Sequence, residues 1–392
     1  MKKLTIGLIG VGGRGQNGWL SHKPEDGVRI IAGADPDPKA FAKFKEKFPN
    51  EKIAEYSDYQ ELLKNPEVDA VFISSPDFCH EEQAVAALYA GKHVYLEKPM
   101  AITIAGCDRI LKAAMESKSK LFIGHNMRHF PVILKMKEII DSGAIGEIRS
   151  GWCRHFIGYG GDAYFHDWHS EQRYSNGLLL QKGAHDIDVM HWLMGGYTKS
   201  VVGMGMLSVY DKCARRPPNT IGSGDYSGWS DEHYPPLEQT GFSPIIDVED
   251  HNMILMQLDN GTQACYTQSH YSPDSERNYT FIGTRGRIEN IGDNGQAEIH
   301  VWNRRGPRET PDIIYNIKPL AGTHGGSDVF IVQNFIDFIR CGRKTNTSPI
   351  AARNSVATGV KGHESMRGGC NRCDIPPLSP DVIEYFENGQ IG

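Results

Sequence analysis

The chain is short of the features that would tie it to a membrane, to nucleic acid or to an oxidising compartment. No apolar run approaches the ~20 residues that cross a bilayer, so a membrane is not an expected partner. No basic block stands out: 42 Lys and Arg are set against 48 Asp and Glu, a formal net charge of −6. A surface without a basic stripe does not gather phosphates, so nucleic acid is not an expected partner either. Cysteine is sparse, eight in 392 residues, and scattered rather than spaced as a disulfide framework. Cys370 and Cys373 make one C-x-x-C, but no second pair lies nearby to complete a zinc site, and the two read as residues of a C-terminal loop. There is no internal repeat and no low-complexity tail. The apolar run after Met1-Lys2-Lys3 is too short and too glycine-punctuated for an export signal, and the cytoplasm is the expected location.

What is present starts with LTIGLIGVGGRG at 4–15. Residues 4–9 read as a strand covered on both faces, because only Thr5 and Gly7 interrupt its apolar side chains. Gly10, Gly12 and Gly15 then match G-x-G-x-x-G, which turns the chain tightly, lets the backbone approach a pyrophosphate and lets a helix pack close to its strand. A second apolar run, 28–34, ends at Asp35, twenty residues past Gly15. A carboxylate there accepts both hydroxyls of an adenine ribose and repels a 2′-phosphate, which points to NAD over NADP.

At 392 residues the chain exceeds what one core usually supports, so two domains are expected. Helices read over 38–48, 59–64, 80–90 and 104–117, alternating with strands over 68–74, 93–96 and 121–124. That alternation predicts a parallel, doubly wound Rossmann sheet. Ligands bind beyond the carboxyl ends of such strands, where Gly10 to Gly15, Asp35, Ser75 to His80, Glu97 to Pro99 and His125 to Arg128 all fall. After a helix over 131–142, longer alternating segments follow at 146–156, 199–210, 251–258, 262–269, 279–283, 286–290 and 297–302, several joined by glycine turns. These predict an α+β domain with a large, mainly antiparallel open sheet. The expected division is a nucleotide-binding domain over 1–125 and a second domain over 126–392, a C-terminal helix packing back on the first. Residues 211–247, rich in Pro, Gly, Ser and Asp, read as a long functional loop or an oligomer contact. Helices return at 328–341, with Ser327 or Asp328 as its N-cap, and at 355–367.

Taken together, the chain resembles the Gfo/Idh/MocA family, the relatives of glucose-fructose oxidoreductase and inositol dehydrogenase. The resemblance rests on Gly10-Val11-Gly12-Gly13-Arg14-Gly15, on Ala34-Asp35-Pro36, on Ser75-Pro76 followed by His80, and above all on 90–99, which ends Glu97-Lys98-Pro99. In the second half it rests on Gly183-Ala184-His185-Asp186-Ile187-Asp188 leading into His191-Trp192-Leu193. The resemblance implies NAD(P)-linked oxidation or reduction of sugars, inositols or related polyols, and a homodimer or homotetramer paired through the open sheet. It places Gly13, Arg14, Ser75, Pro76, His80, Glu97, Lys98 and Asn126 at the cofactor, with Asn126 and Arg128 matching an Asn-x-Arg position near the nicotinamide ribose and substrate mouth.

Oxidising a secondary alcohol needs a hydride acceptor at the carbinol carbon and a group that takes the hydroxyl proton. Lys98 follows a strand end in the expected crevice. An ammonium beside the oxidised cofactor's positive ring has its charged form disfavoured, and the resemblance gives Lys98 the task of orienting or deprotonating the hydroxyl. It also implies that Glu97 and Pro99 hold the turn, with a cis bond before Pro99. His185 is the second proton-handling candidate. On one helix over 181–194, Gln181, Lys182, His185, Asp188 and Trp192 would share a face, Asp188 setting the imidazole tautomer. Many relatives carry a carboxylate where Gln181 stands; an amide binds a hydroxyl but takes no proton, and Lys182 beside it adds a second cation. The stretch 152–169, WCRHFIGYGGDAYFHDWH, offers aromatic rings for sugar C–H faces and polar groups for hydroxyls, with Tyr164, His166 and Trp168 as substrate residues beside Arg128, Gln181, Lys182 and His185. His166, Asp167, His169 and His185 are also metal-ligand types, but hydride transfer to NAD needs no metal and none is expected. Three functions follow: an NAD-dependent dehydrogenase of a sugar, glycoside or inositol; a glycosidase or C-glycoside-cleaving enzyme that uses tightly bound NAD in a transient oxidation and elimination; and a non-catalytic sensor of NAD or sugar.

Overall fold

Leu4–Ile9 forms β1, the strand from which the first sheet grows to both sides. The computed structural model describes residues 3–218, 228–293, 296–318, 320, 322 and 324–390. It pairs β1 with β2 (Val28–Ala34) on one side and with β4 (Ala70–Ile73) on the other; β3 (Ala54–Tyr56) lies outside β2, and β5 (His93–Leu96) and β6 (Leu121–Ile123) continue beyond β4. All pairs are parallel, in the order β3-β2-β1-β4-β5-β6 of a dinucleotide-binding fold. β4 is buried at every position, as a strand with helices on both faces must be. β3 was not legible as a strand: Ala54 and Glu55 are exposed, so this edge lacks the apolar run that marks its neighbours. The helix Ile104–Ser117 starts where Thr103 accepts the Gly106 N–H at 2.9 Å and stops where Lys118 turns left-handed.

The chain divides into two units, the first of which is discontinuous: Met1–His129, Gly326–Arg353 and Pro377–Gly392. Its late segments complete its core. On the helix Ser327–Cys341, Phe335 meets Phe72, Tyr95 and Phe122 edge-on, at ring distances of 5.1, 5.6 and 5.7 Å. The C-terminal helix Pro380–Glu387, which the sequence reading did not delimit, packs on Ile104–Ser117. Just after it, the Gln390 amide bonds both the N–H and the C=O of Leu121, standing in for the missing neighbour of edge strand β6.

The second unit, Phe130–Gly325 with Asn354–Pro376, is built on nine strands: β7 (Ile148–Phe156), β8 (Thr198–Met206), β9 (His251–Leu258), β10 (Gln263–Ser269), β11 (Glu276–Gly283), β12 (Arg287–Ile291), β13 (Ala297–Trp302), β14 (Ile313–Ile317) and β15 (Cys373–Asp374). Their order is β14-β13-β12-β11-β7-β10-β9-β8-β15, antiparallel throughout except for β7 beside β10. The Asp259-Asn260-Gly261 turn joins β9 to β10, with Gly261 at φ +84°. β9 alternates buried and exposed residues because one face of the sheet is covered; elsewhere on the sheet the helix Pro131–Asp141 packs on β12 and β13, and Gly183–Met194 on β7 and β10. Met204, Met206, Met253 and Leu255 stand exposed on β8 and β9.

Several expectations need correction. The strand expected over 199–210 stops at Met206, because the buried Asp250 carboxylate accepts the N–H groups of Ser208, Val209 and Tyr210 and pulls the chain into a turn. The single helix expected over 181–194 is two, Leu178–Gln181 and Gly183–Met194, broken at Lys182. Gly183 lies against Tyr266 of β10, where an added Cβ would come within 2.9 Å of the ring. Gln181 therefore does not share a helix face with His185. The helix read over 355–367 begins six residues earlier, at Pro349, a residue suited to a first helical turn. The helix Ser327–Cys341 is capped by Gly326, not by Ser327 or Asp328. Of the loop read over 211–247, residues 219–227 lie outside those described. The rest folds under itself, with Tyr210, Cys213, Phe242, Ile246 and Val248 packed on Ile157, Phe165 and Leu178. Among the described residues no helix is long and apolar enough to cross a membrane.

Candidate active site

In the first unit, the glycine loop separates two kinds of glycine. Gly10 has φ +80°, and an added Cβ would lie 3.0 Å from the Ser74 backbone; at Gly15 it would lie 2.2 Å from the Gly10 carbonyl oxygen. Those two are required by the fold itself. Gly12 would meet only Ala40 at 3.5 Å, and Gly13, at φ +49°, nothing within 4 Å. Their openness leaves backbone that a pyrophosphate can approach, so the loop fits a dinucleotide. Asp35, partly exposed at the end of β2, accepts the Val11 N–H at 2.9 Å and the Asp37 N–H at 3.0 Å, which fixes its carboxylate beside the loop.

The turn after β5 is pinned from both sides. His80 bonds the Pro99 carbonyl through Nδ1 at 2.7 Å and the Ser75 carbonyl through Nε2 at 2.9 Å, tying the turns after β4 and β5 together. The Lys98-Pro99 bond is cis. Glu97 is buried and accepts from Arg14 Nε at 2.9 Å and Asn17 Nδ2 at 3.2 Å. Arg14 also donates twice to Asp328, at 3.1 Å each, and Asn126 donates to the same carboxylate at 2.9 Å. Burial works against the Arg14 charge, but Glu97 and Asp328 outweigh it and hold the guanidinium above its ordinary value. Arg14 thus links Glu97 to Asp328, and Asn126 reaches the same Asp328, a residue that sequence reasoning took for a helix cap. Lys98 is partly exposed between its buried neighbours Glu97 and Pro99. Arg128 is buried, donating to the Asn346 carbonyl, and beside it burial and the Arg128 charge push the His129 imidazole down to about 4.

In the second unit the polar residues are organised by buried charge. Asp186 is fully buried; it accepts from His155 Nδ1 at 2.8 Å, Tyr266 Oη at 3.0 Å and Tyr279 Oη at 2.5 Å, and pairs with Arg277 Nε at 2.8 Å. Arg277 donates to His155 Nε2 at 3.2 Å. Since a guanidinium only donates, the His155 proton is on Nδ1. Burial and the Arg277 charge push His155 down to about 3, against the pull of Asp186. Burial works to raise Asp186, but Arg277 and His155 outweigh it and hold the carboxyl well below its ordinary range.

Close to this network, Lys182 Nζ donates to Tyr159 Oη at 3.0 Å and lies 5.4 and 5.7 Å from the Tyr159 and Tyr164 ring centres. Burial works against the Lys182 charge, and the phenolic oxygens of Tyr164 and Tyr159 outweigh it, so the ammonium sits above its ordinary value. Burial likewise works to raise the Tyr159 phenol, but the Lys182 charge and hydrogen bond bring it below its ordinary value. A tyrosine beside an ammonium ionises more readily than a free one, and its phenolate can take a proton from a hydroxyl. Tyr159 was missed in the sequence; its only signal was a place in the aromatic stretch 152–169.

That stretch does not act as one surface. Tyr164 goes to Lys182, whereas His166 stacks on Phe242 at 4.5 Å and bonds the Gly241 carbonyl at 3.1 Å, and Trp168 stacks on His169 at 3.7 Å. Burial lowers His166. Gln181, His185 and Asp188 are all buried, and Trp192 receives the Lys137 ammonium 5.9 Å above its ring. Among the described residues no group of three or more His, Cys, Asp or Glu is arranged to hold a metal ion.

Two family models match the chain: one described as oxidoreductase family, NAD-binding Rossmann fold, over residues 4–125, and the GFO/IDH/MocA C-terminal domain over residues 133–289. The chain is similar to YteT of Bacillus subtilis, 27% identical over 349 residues that cover 76% of this chain and 80% of that one. It is similar to an inositol 2-dehydrogenase of Salmonella typhimurium, 30% identical over 200 residues covering 50% of this chain and 56% of the relative, so it spans only about half of that protein. Its fold is similar to that of a levoglucosan dehydrogenase solved with NADH and levoglucosan, with a TM-score of 0.76, 19% identity, and coverage of 96% of this chain and 100% of that one.

Proposed function

Because the chain belongs to the Gfo/Idh/MocA family of oxidoreductases, with an NAD-binding Rossmann domain, we propose that it is a cytoplasmic NAD-dependent dehydrogenase that oxidises a ring hydroxyl, or reduces the ketone, of a sugar, glycoside or inositol. The observation that carries this is the turn after β5: a partly exposed Lys98 between two buried residues, held by His80 on one side and by Arg14 and Asp328 on the other. A lysine on a loose loop would wander; one held at a strand's carboxyl end is suited to keep a substrate hydroxyl in line. A nicotinamide held at the glycine loop and Asp35 would supply the hydride acceptor for the carbinol carbon, or the donor in the reverse direction. Lys98 orients the hydroxyl and takes up part of the charge that develops on its oxygen. His185, with Asp188 as its positioning residue, receives the proton and returns it in the reverse direction. Gln181 and Tyr164 serve the substrate hydroxyls and ring face, and Lys182 keeps Tyr159 poised as a second proton acceptor. Asp35 favours NAD over NADP. The exposed Met204, Met206, Met253 and Leu255 support a homodimer or homotetramer formed through the second sheet.

The test is NAD reduction with a panel of hexoses, glycosides and inositols, followed at the absorbance band of the reduced nicotinamide; a flat response across the panel sinks the dehydrogenase. A second reading is favoured by the Lys182–Tyr159 pair, an extra base beyond what plain oxidation needs. In it, transient oxidation acidifies a neighbouring C–H, elimination expels the aglycone, water adds across the double bond that forms, and the oxidation is then reversed. Sugar release with no net NADH separates that reading from the first.

A further inference from the structure

Tyr159 has a second face to account for. On the side of the loop 228–242 it lines a cavity of about 200 Å³, bounded by Trp229, Tyr234 and the polar side chains of Asp162 and His233 among others. We infer that this cavity is a binding subsite for a second, neutral sugar ring, so that the substrate is a disaccharide or a glycoside with a sugar aglycone rather than a free monosaccharide or inositol. The inference rests on the sugar-directed reading above and narrows it.

Three observations carry it. The first is size: sites that enclose a whole drug-sized ligand run to ~300–1,000 Å³, so a cavity of about 200 Å³ holds one ring and not a complete extended substrate. The second is the mixture of surfaces. Trp229 and Tyr234 are 65% and 48% exposed, yet they border one cavity with Tyr159 instead of lying scattered over the surface. Flat rings of this kind match the C–H faces of a pyranose. The loop carrying them is fastened rather than loose: His233 Nδ1 bonds Asp162 Oδ1 at 2.9 Å, and the Ser230 N–H donates to Asp162 Oδ2 at 3.1 Å. The third is charge. Asp162, Asp231 and Asp274 line the cavity, and among the described residues no lysine or arginine does. Carboxylates accept hydrogen bonds from sugar hydroxyls and repel a phosphate or uronate, which selects a neutral ring. The position of the subsite follows from Tyr159 itself, which faces the cavity and takes the hydrogen bond of Lys182 at 3.0 Å.

The full chain loaded with NAD is compared on glucose, myo-inositol, cellobiose and maltose, and on a disaccharide ending in a uronate, with turnover and saturation-transfer NMR measured on the same samples. The expected result is a kcat/KM at least about tenfold higher for one neutral disaccharide than for glucose, the scale of a single well-made pocket contact, with saturation transferred to both of its rings. In Trp229→Ala the disaccharide KM rises and that advantage shrinks by roughly the same factor, with the signal of the second ring lost; Asp162→Asn gives the same shift through the loop, and circular dichroism checks that both variants fold. Glucose turnover without any disaccharide advantage or second-ring signal overturns the subsite while leaving the dehydrogenase standing. A second-ring signal that vanishes in Trp229→Ala, in a protein that reduces NAD with none of the sugars, upholds the subsite and counts against the dehydrogenase. Equal binding of the uronate disaccharide overturns the charge argument and the subsite with it.

Discussion

The carboxyl ends of the first sheet and the buried centre of the second unit solve the same problem, holding polar side chains still, by different means. Around β5 the work is done largely by backbone: Gly10 and Gly15 allow close approach, His80 bridges two carbonyls, and Lys98 is left at the surface of a pinned turn. Around Asp186 it is done by charge, with a carboxylate, a guanidinium, an imidazole and two phenols removed from water together. The first arrangement tolerates loss of its exposed member; the second does not, because removing one partner strands another in a low-dielectric interior.

That contrast can be broken or sharpened by substitution. Arg277→Leu leaves Asp186 buried with its main counter-charge gone and is expected to cost roughly 3–5 kcal/mol of folding stability, read by urea denaturation. A loss below about 1 kcal/mol, the worth of a surface pair, would show that the network is ornamental. Lys98→Met is expected to do the opposite: stability within about 0.5 kcal/mol of the parent, as for an ordinary partly exposed position, but kcat lower by about 10²–10⁴-fold, the range for a group that handles a proton. Equal melting temperatures with unequal turnover would support the division, and equal turnover would remove Lys98 from the chemistry.

Acid should find the second unit before it finds the turn. His155 is held down to about 3 in the folded protein against an ordinary value of 6.5, so the unfolded chain binds its proton first. Its contribution to stability is therefore complete above pH 6.5 and is lost as the pH falls from there towards 3. Melting temperatures between pH 7.5 and 4.5 should decline in the parent protein and decline less steeply in His155→Gln; parallel slopes would exclude His155 as the source. The smallest effect belongs to Asp35→Ala. Loss of the carboxylate should reduce the preference for NAD over NADP by roughly tenfold, about 1.4 kcal/mol, in paired kcat/KM measurements, and an unchanged ratio would place discrimination elsewhere.

The first unit was the more legible of the two. A short, largely apolar run bounded by turn residues, glycine for most strands and Ser75-Pro76 for β4, has one comfortable solution, a strand covered on both faces, and β1, β2, β4, β5 and β6 all carried that mark. β3 did not, because an exposed edge strand needs no apolar run. Of the candidate site, the glycine loop and Asp35 could be read from spacing, and the Lys98 turn from its place at a strand end together with the family resemblance. Asp328 was misassigned, since a serine and an aspartate before a helix look like a cap, and only the approach of Arg14 and Asn126 shows what the carboxylate holds. Tyr159 and Arg277 were invisible for a related reason: their partners Lys182 and Asp186 lie on another element, 23 and 91 residues away in the chain.

The amino-acid order by itself therefore determined the family and the two sheet types, because each depends on residues that are near neighbours in the chain. Only tertiary structure decided that Arg14 links Glu97 to Asp328, that Asp186 is the centre of a buried charge network, and that Lys182 meets Tyr159. Burial and ion pairing are properties of surroundings: a carboxylate or a phenol has no fixed charge, reach or partner until the rest of the fold has closed around it.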